Sequence, residues 1–378
     1  MRTVNVRTLA AALLICLCFG SIHAYGVLLA PVELWLGTSR TVASMGYAIA
    51  VAALTAGVYL NGHVEALLGP QLRLAACGIL AALGLIIAGG TASTAGLLLG
   101  FGLMYGLANG IAYAMSLGIA AGAMPGREAQ AMGLATATYG LGAVLCAQLF
   151  NAALGHVHVA VILLVLAPLI LAVCALGAAL VQGDKRSGPY STKGIPQATP
   201  RPLLFLWFSY LLGAFSGLMV LAHAPAIAVW RDGGPTQAGL VSSAVSMGSV
   251  AGGYLGGVFA ERVPGPRGVA LPLLVQAGAL ASLPLMSGLA PIAAALGLAG
   301  LCYGVLIAVV PAEVRRIGGP QAFAQNYGRV FTAWGIAGVA GPVTAGYLYD
   351  ITLGYGAALA AAAALSLCSC LFIMCVGK

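Results

Sequence analysis

Ala56-Gly57-Val58-Tyr59-Leu60-Asn61-Gly62 and Ala251-Gly252-Gly253-Tyr254-Leu255-Gly256-Gly257 agree at five of seven positions, 195 residues apart. Each stretch lies toward the end of an apolar run of helical length. Each is followed by a carboxylate and a Gly-Pro turn: Glu65 then Gly69-Pro70, and Glu261 then Gly265-Pro266. Other pairs keep the same spacing: Gly133, Gly140 and Val144 with Gly328, Gly335 and Val339, Trp35 with Trp230, and Tyr139 with Trp334. A further stretch, Gly102-Leu103-Met104-Tyr105-Gly106, matches Gly300-Leu301-Cys302-Tyr303-Gly304 at an offset of 198, which pairs Tyr105 with Tyr303. Glycine-rich runs match by chance, but several pairs in order at nearly constant spacing indicate a duplicated design.

The composition says where that design lives. Of 378 residues, 61% are apolar and 6% charged, against about 45–50% and about 25% in soluble domains. So little charge cannot cover a soluble surface, which excludes a soluble enzyme, a nucleic-acid binder and a disordered tail. A spanning helix needs about 20 apolar residues. Runs of that kind fall at 8–32, 41–62, 72–90, 94–123, 131–152, 159–181, 203–229, 238–260, 269–289, 291–312, 326–348 and 357–376. None alternates polar with apolar at period two, as a membrane β-barrel strand would. The expected fold is therefore all-α and integral to the membrane, with twelve transmembrane helices as two pseudo-symmetric six-helix bundles. The basic stretch 182–202, rich in Pro, Gly and Ser, reads as a linker. The expected organisation is a bundle at 1–182, a cytoplasmic linker at 183–202 and a bundle at 203–378. The first run, behind Arg2 and Arg7, begins like a signal peptide. It continues through Gly26 to Val32, however, and one half of the repeat needs it, so it counts as a span.

Lysine and arginine set the orientation. With the N-terminus inside, Arg2, Arg7, Arg73, Arg127, Lys185, Arg186, Lys193, Arg201, Arg262, Arg267, Arg315, Arg316, Arg329 and Lys378 are cytoplasmic, and only Arg40 and Arg231 lie outside. The expectation is a multi-pass protein of the cell membrane (inner or plasma) with both termini cytoplasmic. The net charge of +8 is then an orientation signal, and no nucleic-acid partner is expected. All nine cysteines lie in spans; Cys368 and Cys370 have no His or carboxylate near them in sequence. They read as small apolar packing residues, with no metal site. All eight acidic residues sit at span ends or in loops. That argues against a relay of buried carboxylates, and recognition falls to uncharged polar groups.

Twelve spans as six plus six, both termini inside, and a short motif after spans two and eight resemble the major facilitator superfamily. The superfamily motif, Gly-x-x-x-Asp-(Arg/Lys)-x-Gly-x-(Arg/Lys), is similar to Gly257, Glu261, Arg262, Gly265 and Arg267, with Glu for Asp and one extra residue. The first copy keeps Gly62 and Gly69, with Glu65 beside the acidic position. The resemblance implies that these residues latch the cytoplasmic face; a solvated turn is the alternative. Asn326-Tyr327-Gly328-Arg329-Val330-Phe331-Thr332-Ala333-Trp334-Gly335 and Tyr25-Gly26-Val27-Leu28 resemble the eleventh and first spans of the oxalate/formate antiporters and monocarboxylate transporters. Carboxylate-binding members carry an arginine in span eight and, for dicarboxylates, a lysine in span eleven. The corresponding positions here are Gly253 and Trp334.

In that fold, spans one, four, seven and ten face the substrate path. On span four Tyr105, Asn109 and Tyr113 recur at i, i+4, i+8 and share one face, beside a ridge of Gly102, Gly106 and Gly110. The expected substrate-binding set is His23, Tyr25, Tyr105, Asn109, Tyr113, Tyr139, Tyr303 and Trp334. The alternatives are a helix–helix hydrogen bond for Asn109 and a packing role for His23. Gln148, Asn151 and Gln276 read as interhelical glue. The implied activity is secondary active transport of a small solute by alternating access, as antiporter or symporter. A small organic anion such as a monocarboxylate leads, with protons as a candidate further partner. Efflux of a neutral or hydrophobic compound and a non-transporting sensor are the alternatives. No enzymatic activity and no cofactor are expected, and a functional monomer in the lipid bilayer is. Reporter fusions after Gly155 should read as outside and fusions near Lys193 as inside; the reverse pattern would overturn the topology.

Overall fold

The computed structural model describes residues 4–181, 200–231 and 235–375. Most of the linker expected at 183–202 therefore lies outside the described residues. Among the described residues twelve helical spans follow one another: Val6–Leu36, Arg40–Leu67, Pro70–Gly90, Thr94–Ala123, Glu128–Leu154, Val159–Leu180, Pro200–Arg231, Pro235–Arg262, Pro266–Ser282, Leu289–Gly318, Phe323–Thr352 and Gly356–Met374. No strand occurs among the described residues. Ten spans are long and apolar enough to cross a membrane. The other two, spans eight and eleven, have 28 and 30 residues. Length does not limit them, since a helix rises about 1.5 Å per residue. Their apolar character is diluted by Ser242, Ser243, Ser246 and Ser249 in one, and by Gln325, Asn326, Arg329 and Thr332 in the other.

Helix ends outrun the apolar windows. Span two, expected to stop at 62, continues to Leu67, so Glu65 is on the helix and not in a loop. Span ten, expected to stop at 312, runs to Gly318 and carries Glu313, Arg315 and Arg316 on its last turns. Local backbone geometry and caps mark helix ends that hydropathy does not. Ser39 accepts a hydrogen bond from the Val42 N–H at the start of span two, and span ten stops where Gly319 turns to φ +76°.

Two spans are irregular. Span one is α-helical over Val6–Phe19, passes through a 3-10 turn at Gly20–Ala24, and resumes over Tyr25–Leu36. Span four opens with one short turn, widens into a π-helix over Leu97–Tyr105, and is α-helical over Gly106–Ala123. Neither irregularity is legible in an apolar run. π-segments recur at functional sites.

The chain forms two compact units. The first holds residues 1–131, 138–196 and 321–329, the second 132–137, 197–320 and 330–378. In the first, the ridge of span four locks into span two: a side chain on Gly102, Gly106 or Gly110 would run into Ile49, Ala50 or Leu54. Span two answers with Gly57, which lies against the Leu107 carbonyl. The second unit repeats the joint between spans eight and ten. Gly300 meets Val245, Gly304 meets Ser249, and Gly252 meets the Leu301 carbonyl. These contacts correct the sequence register. Gly106 corresponds to Gly300 and Gly110 to Gly304, an offset of 194 and not 198. The structural counterpart of Tyr303 is therefore Asn109, not Tyr105. The slip is one helical turn, the error that a glycine every fourth residue invites.

Where a Cβ would enter a neighbour's backbone, the neighbour cannot yield. Gly110→Val should cost at least about 1–3 kcal/mol through overpacking and lower the Tm of the detergent-purified protein. Gly122→Ala, which meets nothing within 4 Å, should leave the Tm unchanged.

Candidate functional site

The break in span one frees backbone groups that hydrocarbon cannot satisfy. Three side chains attend to it. Ser21 donates its hydroxyl to the Cys18 carbonyl at 2.6 Å. The same oxygen lies 2.7 Å from the Tyr105 hydroxyl. Asn109 donates its amide to the Phe19 carbonyl at 2.6 Å, while its own oxygen accepts the Tyr139 hydroxyl at 2.8 Å. Asn109 and Tyr105 are wholly buried. Spans one, four and five are thus tied together at the point where span one loses its regular helix.

Around this knot the aromatic residues assemble. His23, on the 3-10 turn and half-buried, sets Nδ1 2.8 Å from the Tyr47 hydroxyl of span two. Tyr139 meets the imidazole edge-on at 5.4 Å and packs on Tyr113 at 4.7 Å. Tyr25 donates its hydroxyl to the Ala43 carbonyl at 2.7 Å, stacks on Tyr47 and rests on Phe101. Six of the eight expected residues therefore gather in the first unit: His23, Tyr25, Tyr105, Asn109, Tyr113 and Tyr139. The hydroxyls of Tyr25 and Tyr105 are engaged inside the bundle. Tyr47 and Ser21 complete the group. Sequence reasoning missed both because a tyrosine in span two and a serine in span one carry no special spacing.

The remaining two expected residues meet in the second unit. The Trp334 indole N–H donates to the Tyr303 hydroxyl at 2.8 Å, and Phe331 stacks on Trp334. By the corrected register this bond is the counterpart of the Tyr139–Asn109 bond. One frame carries two bridges of different chemistry. Nearby, the Trp207 indole donates to the Thr332 hydroxyl at 2.8 Å, joining spans seven and eleven. Toward the far end of span seven, His223 lies 3.1 Å from the Tyr355 hydroxyl through Nδ1 and 3.0 Å from the Pro342 carbonyl through Nε2. Gln276, expected as glue, donates to the Ser216 and Ser366 hydroxyls at 3.1 and 3.0 Å.

The motif residues sit as follows. Glu65 pairs with Arg73 of span three at 3.0 Å, and Arg73, itself buried, also donates to Asn61 at 3.2 Å. Gly62 has the Gln325 backbone against it in the first unit, and Gly257 has Gly133 against it in the second. Gly69 is the residue before the first turn of span three. Glu261 and Arg262 end span eight, and Arg267 begins span nine. The carboxylate that holds the second loop is one the motif did not point to. Glu313 of span ten, 3% exposed, accepts the Gly265 N–H at 2.7 Å and pairs with Arg316 at 2.7 Å. Gly265 adopts φ +88° there, a conformation that favours glycine. Among the described residues no group of three or more His, Cys, Asp or Glu is placed to hold a metal ion.

No protein-family model matches the chain. In sequence it is 27% identical over 358 residues to monocarboxylate transporter 13 of Bos taurus, spanning 92% of this chain and 83% of that one. The Rattus norvegicus protein of the same name is 26% identical over the same length. In fold it is similar to FucP of E. coli, a major facilitator superfamily transporter in its outward conformation, with a TM-score of 0.79 over 99% of both chains at 12% identity. It is also similar to the human organic anion transporter MFSD10, with a TM-score of 0.77 over 98% of this chain and 100% of that one at 18% identity. The fold is that of the major facilitator superfamily, the protein is a multi-pass membrane protein, and its likeness in sequence is to monocarboxylate transporters.

Glu313→Leu should leave the Gly265 N–H without its acceptor, a loss of about 1–3 kcal/mol, and loosen the loop between spans eight and nine. Trypsin should then nick the protein at Arg262 or Arg267 several times faster than wild type. Equal cleavage rates would show that Glu313 does not hold the loop.

Proposed function

We propose that this chain, a membrane protein with the major facilitator fold, is a secondary active transporter that moves a small organic anion, a monocarboxylate first, by alternating access. Both termini face the cytoplasm of the cell membrane. The observation that carries the reading is the interrupted turn Gly20–Ala24 in span one, which brings half-buried His23 together with Tyr47, Tyr113 and Tyr139. Discontinuous membrane helices are where transporters of many folds bind their substrates. An anion arriving beside an imidazole also favours its protonated form, which ties proton to substrate.

The chemistry of what is missing supports a proton. Gly253 and Trp334 stand where carboxylate-binding relatives carry cations. A carboxylate stripped of water and left unpaired costs several kcal/mol or more. The cluster holds no cation to cancel that charge, and the hydroxyls of Tyr25 and Tyr139 already donate within the bundle. A proton therefore travels with the anion, on the substrate or on His23. Outside the membrane core, Gly62, Glu65, Gly69, Gly257, Glu261, Arg262 and Arg267 serve the exchange between inward- and outward-open states, with Arg73 and Glu313 fastening their loops.

The test is uptake of labelled monocarboxylates into proteoliposomes between pH 5.5 and 8. Protonated species become scarcer as pH rises, so uptake should fall across that range, and His23→Ala should flatten the profile. A flat wild-type profile removes the proton. A falling profile that His23→Ala leaves intact moves the proton to the substrate. If no carboxylate is taken up while a neutral compound is, the anion reading fails.

A further inference from the structure

On a regular helix the backbone fixes where a side chain points. His23 stands on the 3-10 turn that interrupts span one, so its direction depends on what other spans bring to it. Two residues do so. Tyr139 presses on the ring edge-on, at an interplanar angle of 83°, and is itself anchored through Asn109 to the Phe19 carbonyl. Tyr47 brings its hydroxyl to 2.8 Å from Nδ1, with the two rings at 74°. Tyr47 is anchored too. Its ring stacks on Tyr25 at an interplanar angle of 9°, and Tyr25 is fastened by its own hydroxyl to Ala43, one turn before Tyr47 on span two. The hydroxyl that reaches His23 is held on a rigid aromatic stack.

The second unit contains the same contact with its proton legible. The Pro342 carbonyl, 3.0 Å from Nε2 of His223, can only accept, so Nε2 carries the hydrogen. In the neutral ring Nδ1, 3.1 Å from the Tyr355 hydroxyl, must then accept from the tyrosine. Chemistry favours the same sense at His23, because a phenol is far more acidic than a neutral imidazole N–H and is the better donor of the two.

We infer that Tyr47 donates to Nδ1 of His23 and is a positioning residue for transport: it holds the neutral imidazole as the Nε2–H tautomer, so that the ring offers its N–H to an anion from Nε2. Tyr47 acts through His23 and does not touch the substrate. The inference rests on the proposed role of His23 in anion transport.

Tyr47→Phe tests it, because the aromatic stack stays and only the oxygen is lost. The first measurement is nitrogen NMR of histidine-labelled protein in nanodiscs at a pH where the ring is neutral. His23→Ala identifies the His23 signals among those of the five histidines. In wild type, Nδ1 should appear unprotonated and hydrogen-bonded, and in Tyr47→Phe it should move to the position of a nitrogen without that bond. A protonated Nδ1 in wild type, or an unmoved signal in Tyr47→Phe, overturns the inference whatever the protein transports. The second measurement is monocarboxylate uptake into proteoliposomes. Losing the orientation of one hydrogen-bonding group should raise KM about three- to tenfold and leave kcat within about twofold, with Tm unchanged. A moved NMR signal with an unaltered KM overturns the positioning role and leaves the proposed function standing. No uptake by wild type overturns the proposed function, and the NMR result alone then decides whether Tyr47 sets the tautomer.

Discussion

Hydrocarbon gives a backbone N–H or C=O no partner, and the first unit is organised around that constraint. Breaking span one at Gly20–Ala24 is tolerable only because neighbouring side chains take up polar groups at the break. Ser21 serves the Cys18 carbonyl, and Asn109 serves that of Phe19. Tyr105 and Tyr139 then satisfy Ser21 and Asn109 in turn. The polar residues of span four are therefore structural first. Because they hold the break open in a defined shape, they also put His23 where a regular helix would not.

Glycine makes such close attendance possible. Gly102, Gly106 and Gly110 bring spans two and four to backbone contact, and Gly300 and Gly304 do the same for spans eight and ten. The two halves share this frame down to individual contacts, yet fill it differently. Where one half sets Tyr139 on Asn109, the other sets Trp334 on Tyr303. Where spans seven, nine and twelve meet through Ser216, Gln276 and Ser366, span six carries a buried thiol, Cys174, against Gly78 of span three. The two halves share the frame and differ in the chemistry it carries.

Charge is handled by the same economy. Among the described residues, Arg73 and Glu313 are the two charged side chains that are buried, and each neutralises itself with a partner in its own unit: Glu65 for one, Arg316 for the other. Removing one member of such a pair leaves an uncompensated buried charge, which is costly. The loops after spans two and eight look alike in sequence but are secured by different partners, one within the Glu65-to-Arg73 segment and the other from span ten.

The sequence by itself determined the membrane environment, the twelve helices, their division into two related halves and the residue types on which a site could be built. These follow from local quantities: apolar run length, the 3.6-residue period and the spacing of the repeated residues. It also named six candidate residues that the first unit gathers into one cluster. It could not decide which irregularities interrupt a helix, because Leu97–Tyr105 is as apolar as what flanks it, and Ser21 and His23 do not by themselves announce a break at Gly20–Ala24. It mis-set the span-four register by one turn, because glycines four residues apart look the same in either alignment and only the contacts of Gly106 and Gly110 distinguish them. It gave no reason to single out Tyr47 or Glu313. Those roles depend on which side chain from another span arrives within about 3 Å, and that is fixed only when the helices pack.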